Sequence, residues 1–185
     1  MYPEISYIKA NVCFFSKVKD QWGELSNMSN AYGVNINGQR IKNTEALYQA
    51  CRFPDNPEAQ VQILAGHSGM SSKMTSKKYR VAHTRIDWRD IRIDVMKYCL
   101  ALKLYQNPPL RKILLATENA PIVELSHKDT FWGTVEKEKG VLVGQNVLGQ
   151  LWCEIRDNII NGVCDYKSRP TSDIENFMLI GQQIK

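Results

Sequence analysis

No stretch of this sequence stays apolar for more than a few residues, so no segment is expected to cross a bilayer. The opening residues, Met1-Tyr2-Pro3-Glu4, lack the basic start and apolar run of a secretory signal, which predicts a cytoplasmic protein. Histidine is scarce. His67, His83 and His127 stand far apart and no C-x-x-C or H-E-x-x-H pair accompanies them, so neither a metal nor another cofactor is expected. Cys13, Cys51, Cys99, Cys153 and Cys164 are odd in number and widely spaced, a pattern of small core residues rather than of a disulfide framework. The missing motifs exclude more. Without G-x-x-x-x-G-K-[ST], G-x-G-x-x-G or G-x-S-x-G, a P-loop, a dinucleotide fold and an α/β-hydrolase nucleophile lack support.

What is present is an ordinary globular chain of 185 residues, 43% hydrophobic and 23% charged, long enough for one domain with a core. The net charge of +5 is concentrated. Between Lys73 and Arg92, the cations Lys73, Lys77, Lys78, Arg80, Arg85, Arg89 and Arg92 face only Asp87 and Asp90. Such a stretch attracts the phosphates of a nucleotide or a nucleic acid, or is simply a solvated basic surface.

Val12 to Phe15 reads as a strand, followed by a polar loop, Gly23-Glu24-Leu25-Ser26-Asn27. Ala31 to Ile36, the Asn37-Gly38 pair and Gln39 to Ile41 form a hairpin pattern. Asn43 or Thr44 caps a helix to about Phe53, stopped by Pro54; Glu45, Gln49 and Arg52 share its polar face, with Tyr48 at the edge. An acid in a first helical turn is favoured by the helix dipole alone, so Glu45 has a structural explanation beside a chemical one. Pro57 starts a second helix that Gly66 ends. Ser68 to Ser72 reads as a loop of small residues, and Met74 to Tyr79 as one or two helical turns.

Asp87 is placed as the cap of the clearest helix, in which Trp88, Ile91, Val95, Tyr98, Cys99 and Leu102 keep a helical period up to Asn107. Arg92, Met96, Cys99 and Lys103 form a second stripe, which sets Lys103 among apolar groups. A lysine kept from water is more easily deprotonated and can be a nucleophile, although such chains also extend to solvent. A short helix from Pro109 through Leu115 and Ala116, a strand at Val141 to Val143 and a final strong helix from Val147 to Gly162 are expected. Residues 163–185 are weakly patterned and read as a tail or a packing arm. The fold class is mainly α-helical α+β, a single multihelical domain with a small antiparallel β component.

The segment from Glu124 to Gly133, E-L-S-H-K-D-T-F-W-G, is the richest in chemistry. Carboxylates beside Trp88, Phe131 and Trp132 suit glycosidic-bond hydrolysis, in which acids assist the leaving group, stabilise a cationic ribosyl centre or activate water. An acid ending a strand and a tryptophan closing a core account for the same residues structurally.

The ordered set G-E-L-S-N (Gly23 to Asn27), T-E-A-L-Y-Q-A-C-R-F (Thr44 to Phe53), R-x-D-W (Arg85 to Trp88), M-x6-K (Met96, Lys103), L-L-x-T (Leu114 to Thr117), E-x4-D-x-F-W-G (Glu124 to Gly133) and G-x-N-x-L-G (Gly144 to Gly149) through Arg156 resembles the NADAR or YbiA-like family. The resemblance spans about residues 12–160, and the domain is expected over 1–162 with 163–185 as an extension. It implies an N-glycosidase acting at the anomeric carbon of a ribosyl group, on ADP-ribosylated guanine or on early riboflavin-pathway intermediates. Partners would be a small nucleotide or ADP-ribosyl substrate and, where the guanine is polymeric, ADP-ribosylated nucleic acid, with no membrane. Carried over by position, Glu45, Trp88, Asp129 and Trp132 match the main functional positions, with Glu45 and Asp129 as the essential pair. Gly23, Ser26, Asn27, Gly133, Asn146 and Gly149 match the loops around the ligand, and Glu24, Tyr48, Gln49, Arg52 and Phe131 are expected to contact it.

Two positions depart from the family. Many relatives carry histidine after the helix-opening glutamate and lysine near the helix end, where this chain has Ala46 and Arg52. Arginine stays protonated, so Arg52 suits phosphate or carboxylate binding rather than imine formation. If an imine forms, Lys103 or Lys73 supplies it, Lys103 being preferred. The alternatives are a non-catalytic ADP-ribose or nucleotide-binding module and a basic nucleic-acid-binding domain, the latter without a recognised reading motif.

Overall fold

A computed structural model describes residues 2–184. In chain order the elements are β1 (Ile5–Ile8), β2 (Cys13–Phe15), β3 (Val34–Ile36), β4 (Gln39–Ile41), α1 (Thr44–Ala50) and α2 (Pro57–Leu64). Then come α3 (Gly69–Lys77), α4 (Arg80–His83), α5 (Trp88–Gln106), α6 (Pro108–Leu115) and β5 (Ile122–Glu124). The chain closes with β6 (Val135–Glu138), β7 (Val141–Gly144), α7 (Val147–Ile160), β8 (Met178–Leu179) and β9 (Gln182–Gln183). Helices dominate and the sheets are small, as the sequence pattern predicts.

The chain divides into two compact units. The first comprises residues 1–26 and 108–165, the second residues 27–107 and 166–185. In the first, β1, β7 and β6 form an antiparallel sheet in that order, and β2 runs parallel to β5 with Cys13 opposite Ile122. The parallel pair departs from an otherwise antiparallel set. Apolar residues of α7 recur at helical spacing and bury Leu148, Leu151, Trp152 and Ile155, while Leu110 and Leu114 of α6 and Ile122 and Val123 of β5 are also buried. Arg156, on the same helix, donates to the Thr117 hydroxyl at 3.0 Å and the Ala120 carbonyl at 2.6 Å, fixing the turn after α6.

In the second unit, Asn43 caps α1 by accepting from the Ala46 amide at 2.9 Å, as the sequence indicates. The helix is buried on every side, however, so Glu45 and Gln49 occupy interior positions rather than a solvated polar face. Ser68 to Ser72, expected as a loop, opens α3 instead. Ser68 and Ser71 form a reciprocal capping box, and a Cβ on Gly69 would come within 2.6 Å of Met28 Sδ and 3.2 Å of the Glu45 Cβ. These small residues let α3 approach its neighbours closely. Asp87 stands at the start of α5 but makes no side-chain cap; its carboxylate takes the Arg85 guanidinium at 2.6 and 2.9 Å instead.

Residues 166–185 fold with the second unit: Phe177, Leu179 and Ile184 are buried, and Gln60 donates to the Met178 carbonyl at 2.9 Å. The Phe177 ring meets Tyr98 edge-on at 5.0 Å. Sequence patterning missed β1, β6 and this short terminal hairpin. The five cysteines are free thiols; Cys51 and Cys99 are buried, Cys13 and Cys153 partly so, and Cys164 is exposed, unlike the core position expected for it.

Candidate active-site elements

Glu45 lies in the first turn of α1, where its amide donates to the Asn27 carbonyl at 3.0 Å. Its side chain is only 6% exposed. Gln49, one turn on, donates Nε2 to Glu45 Oε1 at 2.8 Å. The Gln49 carbonyl oxygen then accepts from the Ser76 hydroxyl at 2.8 Å and from Arg80 Nη2 at 3.3 Å, and Arg80 reaches Ser76 Oγ at 3.2 Å. The i, i+4 spacings of Glu45 with Gln49 and of Ser76 with Arg80 make this chain of contacts. It holds one carboxylate oxygen in a fixed direction by a donor that is itself fixed.

An aromatic and cationic group stands beside it. The Trp88 side chain, 5% exposed, packs its ring against Tyr48 at 5.1 Å, and the Arg52 guanidinium lies over the same indole at 4.7 Å. Burial, reinforced by the Glu45 charge, raises the Tyr48 phenol well above its usual range, so it stays neutral at physiological pH. Burial, then the neighbouring Arg80 charge, lowers Arg52 to about 10, which leaves it protonated at neutral pH. The Arg52 carbonyl accepts from the Arg85 amide at 3.1 Å, and Arg85 also holds the Glu175 and Asn176 carbonyls. Thus the R-x-D-W segment builds the platform from which Trp88 projects. Asn27 donates Nδ2 to Met96 Sδ at 3.0 Å. Lys103, on α5, is fully buried at 0% exposure rather than extended to water.

The first unit handles its candidate residues differently. Asp129 Oδ1 accepts from the Phe131 and Trp132 amides at 3.1 and 2.9 Å, and the Asp129 amide donates to Ser126 Oγ at 3.1 Å. This local turn sets the Phe131 and Trp132 rings edge to face at 5.0 Å. A Cβ on Gly133 would fall 2.6 Å from the Glu124 carbonyl, which already accepts from the Thr134 amide. Asn146 adopts a left-handed conformation at φ 49°, accepts from the Glu124 amide at 3.1 Å and donates to the Ile122 carbonyl at 2.8 Å. A Cβ on Gly149 would strike that same Ile122 carbonyl. Asn146 and Gly149 therefore lock α7 against β5. Gly23 and Glu24 sit in a tight turn, Gly23 against the Lys17 and Val18 carbonyls, and the Ser26 amide closes it on the Gly23 carbonyl at 3.1 Å.

Tyr48, Gln49, Arg52 and Trp88 thus gather around Glu45 within one unit, while Asp129, Phe131, Trp132, Gly133, Asn146 and Gly149 gather around the β5 end within the other. Ser76 and Arg80 were not singled out from sequence. Their spacing and the basic stretch were the available signals, but only folding puts them against Gln49. Among the described residues, no cluster of three or more histidine, cysteine or acidic side chains could hold a metal, and no helix is long and apolar enough to cross a membrane.

Comparison with known proteins places these motifs in a defined group. The N-glycosidase YbiA of Escherichia coli strain K12 is 30% identical over 145 residues, 78% of this chain and 86% of that protein. An N-glycosidase of Nostoc punctiforme is 27% identical, with 80% and 92% of the two chains aligned. A riboflavin biosynthesis protein of Vibrio vulnificus is 31% identical over 85% of this chain, and one from the maize chloroplast is 30% identical over 87%; the chain spans 41% and 27% of their lengths. The solution structure of Escherichia coli YbiA superposes with a TM-score of 0.69 at 27% identity, covering 85% of this chain and 89% of that one. The NADAR domain description matches residues 13–160, and the chain belongs to the NADAR family.

Proposed function

We propose that this protein is an N-glycosidase that hydrolyses the bond between the anomeric carbon of a ribosyl group and a base-like nitrogen. The observation that carries the reading is the buried Glu45 carboxylate, held by Gln49 beside the stacked Tyr48, Trp88 and Arg52. The N-glycosidase names of the relatives from Escherichia coli and Nostoc punctiforme support it. Water adds its hydroxyl to the anomeric carbon while the departing nitrogen takes a proton; a fixed carboxylate either guides that water or stabilises the cationic ribosyl centre. Asp129 is the second carboxylate of the proposal, in addition to forming its turn, and Phe131 and Trp132 offer ring faces. If the ring-opened ribose is held as an imine, Lys103 is the amine, since Arg52 remains charged. Borohydride trapping followed by peptide mapping assigns that lysine.

Two substrate classes fit: an ADP-ribosylated guanine, free or in nucleic acid, and the phosphoribosylamino-pyrimidine intermediates of riboflavin synthesis. The basic stretch Lys73 to Arg92 favours the first, and the riboflavin names of two relatives favour the second. A cytoplasmic setting accords with either. Incubating the purified protein with each substrate and measuring base release tests the reading. Release from one is expected; ADP-ribose binding with release from neither would make the protein a binding module instead.

A further inference from the structure

The Glu45 network ends in cations that the bond-breaking step does not need. Arg52 follows α1, Arg80 opens α4 and Arg92 lies one turn beyond Trp88 on α5. The charges of Arg80 and Arg92 both act on Arg52, so the three belong to one neighbourhood of the second unit. The Glu45 carboxylate acts on Arg52 as well, in the opposite sense. The donors are in surplus. Arg52 Nε, Arg80 Nε and the Trp88 indole Nε1 are each buried without an acceptor, although Arg80 Nη2 is already used on Gln49 and Ser76. Buried N–H groups without acceptors are costly, and arginine forks with an indole N–H can only donate. Their natural complement is a multiply charged oxyanion.

We propose that Arg52, Arg80 and the Trp88 indole N–H form an anion site within the second unit that takes a phosphate group of the substrate. Arg92 adds charge from the neighbouring turn of α5. The identification of that phosphate as the substrate's rests on the N-glycosidase reading; the anion site itself rests on the donors and charges described. The site ties recognition to cleavage, because Gln49 touches both Arg80 and Glu45. A phosphate seated on Arg80 therefore bears on the donor that orients the carboxylate.

The test is a titration of the full chain with inorganic phosphate, followed through the indole N–H signals in a two-dimensional nitrogen–proton spectrum. Trp88→Phe assigns the relevant signal among the four tryptophans. The Trp88 signal is expected to shift and saturate with phosphate but not with chloride, and Arg52→Met or Arg80→Met should weaken binding about tenfold or more, the loss of a charge-assisted contact. Arg52→Lys and Arg80→Lys, which keep the charge but lose the fork, serve if the methionine variants fail to fold; they too should bind more weakly. No movement of the Trp88 signal, or unchanged affinity in both arginine positions, overturns the site. KM arms then separate the ligands. Arg52→Met should raise KM about tenfold more for the phosphate-bearing substrate than for the dephosphorylated one, with monophosphate and diphosphate substrates compared directly. Phosphate binding without base release from any substrate leaves the anion site standing and removes the glycosidase reading.

Discussion

Glu45 in the second unit and Asp129 in the first are both acids in recognisable motifs, yet their surroundings assign them different work. Asp129 spends one oxygen on the two backbone amides that follow it, so its first product is a turn that aims Phe131 and Trp132. Glu45 takes its donor from a side chain instead of from the backbone amides that follow it. Its side chain is held by Gln49, and that glutamine is held by Ser76 and Arg80 from two other helices. A carboxylate beside aromatic rings whose donor is itself held from other helices is arranged for chemistry, whereas one that accepts from the two amides following it is arranged first for shape.

The sharpest way to break this contrast is substitution of each acid by its amide. Glu45→Gln keeps the volume and removes the charge; base release should fall about a thousandfold, within the range typical of a lost acid or base, while the melting temperature stays close to wild type. Asp129→Asn retains an acceptor for the Phe131 and Trp132 amides, so the fold should persist and release should fall about a hundredfold. Full activity in that variant would leave Asp129 as a turn former alone. Asp129→Ala, which removes the acceptor, should cost about 2 kcal/mol in denaturant unfolding. Gln49→Leu tests the link between the two halves of the network, and a roughly tenfold loss of release is expected because Glu45 loses its orienting donor. The smallest effect belongs to Asp87, whose carboxyl the Arg85 guanidinium holds below its usual range. Because the folded value is lowered, its stabilisation is present above about pH 4 and disappears as pH falls through the folded value. Asp87→Asn should therefore be less stable than wild type by under about 1 kcal/mol at neutral pH and equal to it in strong acid, since the pair is partly exposed.

Much of this was legible in the sequence. The Asn43 cap, the Asn37-Gly38 hairpin, the long α5 and the α7 stripe follow local rules, and the spaced motif set identified the family. What escaped was set by packing. Ser68 to Ser72 has loop composition, but Gly69 is small because Met28 and Glu45 come close to it, and the reciprocal serine cap then starts a helix. The polar face expected for α1 turned inward because Gln49, Ser76 and Arg80 satisfy one another, and pairings between segments tens of residues apart leave no periodic trace. Asn146 and Gly149 also clasp the Ile122 carbonyl of β5, a contact no local pattern announces. Lys103 lies between the two: its stripe on α5 set it among apolar groups, but local pattern favoured extension of its amine to water, and packing buries it completely instead.

The most direct test of the central claim is single-turnover base release by Glu45→Gln under saturating substrate, with binding followed in the same sample through the Trp88 indole signal. Substrate should bind and remain uncleaved on the timescale of wild-type turnover. Cleavage at the wild-type rate in that complex would contradict that claim.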